Sequence, residues 1–134
     1  MTMTSGGCLC GAVRFEFAAA PLWAGYCHCE SCRRATGAPV AAFIGVQQSA
    51  VSFSGEPPSV FPSSPGVERW FCGACGSPLA YVGERWPDEV HLYTASLDDP
   101  SQHPPKFHVN CREQLPWLVL GDSLPRFAVT SAEE

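Results

Sequence analysis

Seven of the eight cysteines in this 134-residue chain lie in three short clusters. The clusters are Cys8-x-Cys10, Cys27-x-Cys29-x-x-Cys32 and Cys72-x-x-Cys75. Thiols one or two residues apart can turn toward a single ion, and such clusters are typical of zinc sites. Two pairs and one triplet divide into four ligands and three. This division predicts one closed zinc site and one zinc site with an open position, where a substrate can bind and react.

A disulfide framework is the rival interpretation of these cysteines. A Cys-x-Cys pair does not readily close on itself, and three thiols within six residues leave one unpaired. Residues 1–7 show no basic region followed by an apolar core, so we expect no secretory signal and a cytoplasmic protein. In a reducing cytosol, clustered thiols are more often metal ligands or catalytic groups than disulfides. The sequence therefore favours zinc.

The composition limits the fold and the partners. The length predicts one domain over residues 1–134, and 13 prolines with 12 glycines spread along the chain exclude long helices. No stretch approaches the roughly 20 apolar residues of a membrane helix, so no membrane partner is expected. With eight Lys plus Arg and a net charge of −5, the chain lacks the basic face of a nucleic-acid binder. A nucleic-acid-binding zinc ribbon is thus disfavoured.

The hydrophobic pattern predicts a mostly antiparallel β domain. Val13, Phe15 and Phe17 alternate with charged residues, as in a half-buried strand. Further strands are predicted at 39–46, 51–53, 59–61, 68–72, 79–82, 89–95 and 106–110, and an acidic tail at 130–134. One short helix is predicted over about 30–36, ended by a glycine and a proline.

The spacing leaves two ways to group the clusters. Cys8 and Cys10 can join Cys72 and Cys75 in a closed structural site that ties the start of the chain to its middle. The alternative places the first pair with Cys27 and Cys29, and spacing alone does not decide between the groupings.

The triplet Cys27, Cys29 and Cys32 leads into the short helix and offers three ligands for a second zinc ion. A fourth protein ligand would close this site, and the candidates are His28, His91, His103, His108 and Cys111. We expect the side chain of His28 to point away, since it lies between two ligands. Arg33 and Arg34 follow the triplet and are predicted to bind a carboxylate of an anionic substrate. Their alternative role is a solvated helix face or charge balance near the thiolates.

Three segments resemble the glutathione-dependent formaldehyde-activating enzyme (GFA) family, which also includes the centromere protein V-like (CENP-V) proteins. The segments are GGCLCGAVRF at 6–15, CHCESCRR at 27–34 and RWFCGACGSPL at 69–79. The resemblance covers about residues 6–127. It implies an Mss4-like fold of coiled antiparallel β-sheets, stabilised by zinc.

The resemblance also implies roles for the cysteines. Cys8, Cys10, Cys72 and Cys75 would hold structural zinc, and the triplet would hold the zinc of the active site. The implied activity is that of a carbon–sulfur lyase, which joins glutathione to formaldehyde as S-hydroxymethylglutathione. A small thiol and an aldehyde are then the expected partners. The alternative is a non-catalytic, zinc-stabilised module that binds a protein partner or a small thiol.

Overall fold

The protein is described by a computed structural model that covers residues 3–130. These residues form ten strands and one α-helix. The strands are β1 Thr4–Gly7, β2 Val13–Phe17, β3 Trp23–Cys27, β4 Ala41–Gln47, β5 Val51–Gly55, β6 Ser59–Ser64, β7 Val67–Phe71, β8 Pro78–Gly83, β9 Glu89–Tyr93 and β10 His108–Val109, and the helix is α1 Glu30–Thr36. None of the described helices is long and apolar enough to cross a membrane. The predicted acidic tail lies, beyond Thr130, outside the described residues.

The strands form two sheets. One has three strands in the order β1-β2-β5, and the other has seven in the order β10-β3-β4-β9-β8-β7-β6. All pairs between named strands are antiparallel except the two-residue pairing of β10 with β3. The prediction of a mostly β, mostly antiparallel fold with one short helix is confirmed.

The two sheets share one hydrophobic core. Val13, Phe15 and Phe17 on β2 are at most 1 % exposed, as their alternation with charged residues predicts. They pack in the same cluster as Ile44 on β4 and Leu92 on β9, which lie opposite each other in the larger sheet. Full burial of each such side chain contributes about 1.5–3 kcal/mol to the free energy that favours folding. This core stabilises the larger sheet, in which strand β3 ends at Cys27, the first cysteine of the triplet.

The helix begins and ends where the sequence predicts. Cys29 is the N-cap, with extended backbone, and its sulfur accepts the backbone N–H of Cys32. Gly37 ends the helix in the left-handed conformation at φ 68°, and its N–H donates to the carbonyl of Arg33. Glycine adopts this conformation without the steric cost that a Cβ brings. These two caps define the helix, and they place Cys29 at its start.

Two strands were not predicted from the sequence. β1 contains Gly6 and Gly7, which have poor strand propensity. A Cβ on Gly6 would stand 2.6 Å from the ring of Phe15, so close packing against the core explains the glycine. β3 was also missed, although it ends at Cys27. The turn signal between β5 and β6 does separate two strands, but they belong to different sheets.

Candidate metal centres and the cavity beside one of them

The fold brings the seven clustered cysteines into two groups. Within each group the sulfurs lie within 4.8 Å of one another. One group contains Cys8, Cys10, Cys72 and Cys75, and the other contains Cys27, Cys29 and Cys32. The alternative grouping of the first pair with Cys27 and Cys29 is wrong, because the sheet holds those residues in separate clusters.

The four-cysteine cluster has the dimensions of a metal site. The sulfurs of Cys8 and Cys10 are 3.6 Å apart, and those of Cys10 and Cys72 are 3.8 Å apart. Tetrahedral zinc with bonds of about 2.3 Å would place its sulfurs about 3.8 Å apart. Backbone N–H groups of Val13 and Cys75 donate to the sulfurs of Cys8 and Cys72, respectively. These donors stabilise thiolates, so the cluster could hold a metal ion.

Two loops meet at this cluster. The first follows β1, and the second lies between β7 and β8 in a turn that ends at Gly76, with φ 80°. The Ser77 hydroxyl links the loops, because it accepts the N–H of Leu9 and contacts the sulfur of Cys75. The hydroxyl of Ser77 lowers the pKa of Cys75 to about 5. The cluster therefore joins the smaller sheet to the larger one.

The triplet is held by one strand and one helix. Cys27 ends β3, Cys29 caps α1 and Cys32 lies in the first turn of that helix. The Asn110 side-chain amide donates to the Cys27 sulfur at 3.3 Å. Hydrogen bonds from the Cys27 and Cys32 thiols hold the pKa of Cys29 well below its usual range. Three sulfurs with polar support are a suitable donor set for a soft divalent metal such as zinc.

Arg69 was missed by the sequence analysis and lies directly against the triplet. Its guanidinium Nη1 is 3.5 Å from the sulfur of Cys32 and 3.4 Å from the hydroxyl of Tyr93. The guanidinium also lies over the ring of Tyr81, 5.0 Å from its centroid. Arg69 opens the third family-like segment, but nothing in the local sequence shows which group it faces.

A cavity of about 500 Å³ adjoins the triplet. All three cysteines of the triplet line it, together with the side chains of Asn110 and Arg69. Six aromatic side chains also line it, and they are Trp23, Tyr26, Phe43, Tyr81, Trp86 and Phe107. Apolar walls with a few placed polar groups are typical of small-molecule sites.

A polar group lies among the rings of the cavity wall. The carboxylate of Glu89 accepts the indole N–H of Trp23 at 3.1 Å and contacts the ring of His91 at 3.0 Å. Burial lowers the pKa of His91, so its imidazole is neutral at pH 7. The Trp23 ring lies over Gly45, where a Cβ would come within 2.2 Å of the indole nitrogen. Glycine at this position therefore shapes the cavity.

The candidate fourth ligands do not complete the triplet. No His, Cys, Asp or Glu among residues 3–130 joins the three sulfurs within 4.8 Å. His28 points away, as expected, and its Nε2 lies 2.9 Å from Nδ1 of His108. His108 in turn contacts the carboxylate of Asp122. His91 stands in the cavity wall, while His103 and Cys111 lie outside the triplet.

The two arginines after the triplet make their contacts outside the cavity. Arg33 donates to the backbone carbonyls of His28 and Glu113. Arg34 pairs with Glu30 one turn away, and its side chain is 81 % exposed. Neither side chain lines the cavity.

Comparison with known proteins places these residues in a family. The family model described as "Glutathione-dependent formaldehyde-activating enzyme" matches residues 3–113. A relative from Halomonas elongata, provisionally named a glutathione-dependent formaldehyde-activating enzyme, is 31 % identical over an alignment of 128 positions, and the match covers 88 % of this chain and 81 % of the relative. An uncharacterized lyase of Schizosaccharomyces pombe is 36 % identical over 77 residues, covering 58 % of this chain and 56 % of that protein. The crystal structure of a Rhodobacter sphaeroides protein superposes with a TM-score of 0.61 at 26 % identity, covering 73 % of this chain and 93 % of that one.

Proposed function

Because this chain belongs to the glutathione-dependent formaldehyde-activating enzyme family, we propose that it is a carbon–sulfur lyase acting on adducts of a small thiol with an aldehyde. Glutathione and formaldehyde are the pair that the family name indicates. One observation carries the proposal: three sulfurs line a cavity of ligand size, and no fourth protein ligand from residues 3–130 covers them. A closed structural site would leave no position for a substrate.

We propose zinc as the metal of both cysteine clusters. Sulfur ligands select soft metals, and the spacing of the four-cysteine cluster matches zinc–sulfur bond lengths. Zinc bound by the triplet would supply a Lewis-acidic position that lowers the pKa of an incoming thiol. None of the eight cysteines forms a disulfide within residues 3–130, which fits a reducing compartment, and we propose a cytoplasmic location.

The reaction balances without an added oxidant or reductant. The substrate sulfur attacks the carbonyl carbon of the aldehyde, a sulfur–carbon bond forms and the carbonyl π bond opens. The thiol proton ends on the former carbonyl oxygen, which becomes the hydroxyl of the adduct. The reverse reaction breaks the same sulfur–carbon bond and returns the aldehyde.

The chain's own residues hold the reactants and the ligating sulfurs. Asn110 orients the Cys27 sulfur, and Arg69 orients the Cys32 sulfur. The aromatic wall excludes water from the body of the thiol, which strengthens electrostatic interactions within the cavity. That Arg33 and Arg34 bind a substrate carboxylate stays a prediction. Arg85 lines the cavity and is the better-placed arginine for that role.

Adduct exchange with a panel of small thiols and aldehydes, followed by NMR on zinc-loaded protein, tests the proposal. At least one pair is expected to exchange faster than it does without protein. Cys32→Ala should abolish the acceleration, whereas Cys111→Ala, outside both clusters, should retain it. An uncatalysed rate for every pair would contradict the enzyme assignment. Saturable binding without acceleration would instead support the non-catalytic module.

A further inference from the structure

Arg69 is a buried cation, and the described part of the chain gives it no acidic partner. Its exposed fraction is 9 %, and no carboxylate within residues 3–130 lies within 4.0 Å of its guanidinium. A buried charge is costly unless it is paired and hydrogen-bonded. The structure must therefore provide a negative charge for this guanidinium elsewhere.

The neighbours of Arg69 identify the source of that charge. The face of the Tyr81 ring and the hydroxyl of Tyr93 are polar but uncharged partners. Burial raises the pKa of Tyr93 to about 12, so its hydroxyl stays protonated at pH 7. The remaining partner is the sulfur of Cys32, which becomes a thiolate when it ligates a metal.

We propose that Arg69 is the counter-cation of the cysteine triplet and a positioning residue that makes its open position prefer a thiolate over a neutral ligand. Three thiolates and a divalent ion carry a net charge of −1, and an incoming thiolate makes the net charge −2. The guanidinium of Arg69 offsets one of these charges from the cavity wall. The thiolate preference rests on the proposed function, whereas the counter-cation role concerns the triplet alone.

The four-cysteine cluster shows what a site without this feature looks like. The hydrogen bonds to its sulfurs described for residues 3–130 come from backbone N–H groups, neighbouring thiols and the hydroxyl of Ser77. With four protein ligands present, that cluster accepts no further anion. Of the two clusters, the triplet has room for another ligand, and it is the triplet whose sulfur is contacted by a guanidinium.

The first experiment measures the zinc affinity of each cluster by competition with a chelator. Arg69→Met should weaken binding at the triplet about 10–100-fold, the range found when a residue that supports a metal ligand is removed. The four-cysteine cluster in the same molecule is the internal reference and should be unchanged. Arg34→Met removes an exposed arginine from the helix of the triplet and is the matched control. Unchanged affinity at the triplet in Arg69→Met would overturn the counter-cation role.

The second experiment titrates cobalt-loaded protein with 2-mercaptoethanol and, separately, with imidazole. The thiolate-to-cobalt charge-transfer band and the d–d bands report ligand binding independently of catalysis. Arg69→Met should lose about tenfold or more in thiol affinity and change little in imidazole affinity, because only the thiol adds negative charge. Arg69→Lys, which keeps the charge, should retain most of the preference. Equal losses for both ligands would overturn the thiolate preference and indicate a merely structural residue.

Two results separate this inference from the proposed function. If the wild-type cobalt protein binds no thiol, the proposed function and the thiolate preference both fail, while the zinc affinities still decide the counter-cation role. If Arg69→Met does not fold by circular dichroism, Tyr93→Phe replaces it, since this change removes a hydroxyl that holds the guanidinium. Tyr93→Phe should shift both readouts in the same direction by a smaller factor, and no shift in either would count against the role.

Discussion

The four-cysteine cluster joins two loops of different sheets, whereas the triplet lies against a cavity at the start of a helix. The first has its coordination positions filled by sulfur from both loops. The second has three sulfurs, an arginine and an asparagine on its thiols, and open space on the remaining side. The same ligand atom is thus arranged to link two loops in one region and, under the proposed function, to leave room for ligand exchange in the other. The number of sulfurs and the groups around them make the difference.

The largest effect is expected when the cross-link is broken. Cys75→Ser removes one ligand from the four-cysteine cluster but little packing, because Cys75 is exposed. Structural zinc contributes on the order of 10 kcal/mol to folding, so the domain should unfold or lose one zinc ion. Thermal unfolding and metal content measure this effect, with Cys111→Ser as the control. A soluble variant with both quantities unchanged would remove the structural role from this cluster.

A change in the cavity wall should weaken thiol binding beside the triplet and leave the four-cysteine cluster unchanged. In Gly45→Ala the new Cβ would meet the indole of Trp23 at 2.2 Å, and the ring must leave its position. Overpacking of this kind costs about 1–3 kcal/mol, and thiol binding should weaken because the cavity is reshaped. Unfolding midpoints and thiol titration measure the two effects.

Gly121→Ala is the matched control for Gly45→Ala, because a Cβ at Gly121 meets nothing within 4 Å. The zinc content of the four-cysteine cluster should stay the same in both variants. If Gly45→Ala bound thiol as well as the wild type, Trp23 would not shape the binding site.

A smaller effect is expected from the asparagine on the triplet. Asn110 has φ 56°, a conformation that glycine also adopts, so Asn110→Gly removes the amide without straining the backbone. The lost hydrogen bond to Cys27 should weaken zinc binding at the triplet about tenfold. Chelator competition measures this affinity, and the four-cysteine cluster serves as the reference. Equal affinity in the variant would mean that Asn110 does not support the ligand.

The smallest effect concerns a surface ion pair beside the four-cysteine cluster. Arg14 holds the pKa of Asp98 below its usual range, about 3.9 for a free aspartate. Because the pKa of Asp98 is lower in the folded protein, the pair stabilises the fold at pH values above the pKa of the unfolded state. This contribution is lost as the pH falls through the folded pKa. Asp98→Asn should flatten the pH dependence of the unfolding midpoint slightly between about pH 5 and 2. Asp99→Asn changes a neighbouring carboxylate, which accepts from Ser101, and is the matched control. An identical profile for Asp98→Asn would show that the pair contributes nothing.

The three short cysteine clusters and the helix could be predicted from the sequence, because each depends on residues a few positions apart. Clustered thiols must face one another, and Gly37 must end a helix. The strand at 13–17 was equally accessible, since alternation of large apolar residues fixes one buried face. The division into four sulfurs and three followed from counting, and the family resemblance implied the membership of each group, which spacing alone left open. The folded sheets bring those same members together.

The surroundings of the triplet were decided by tertiary structure alone. Arg69 and Asn110 reach their sulfurs across 37 and 83 residues of sequence, through strand pairings that no local pattern specifies. Arg33 follows the triplet immediately, yet the helical turn directs its side chain to backbone carbonyls instead of the cavity. The sequence by itself determined which atoms can ligate a metal, because ligand chemistry resides in single side chains. Only the packed sheets decided which ligands face open space, because that depends on the direction of side chains from distant strands.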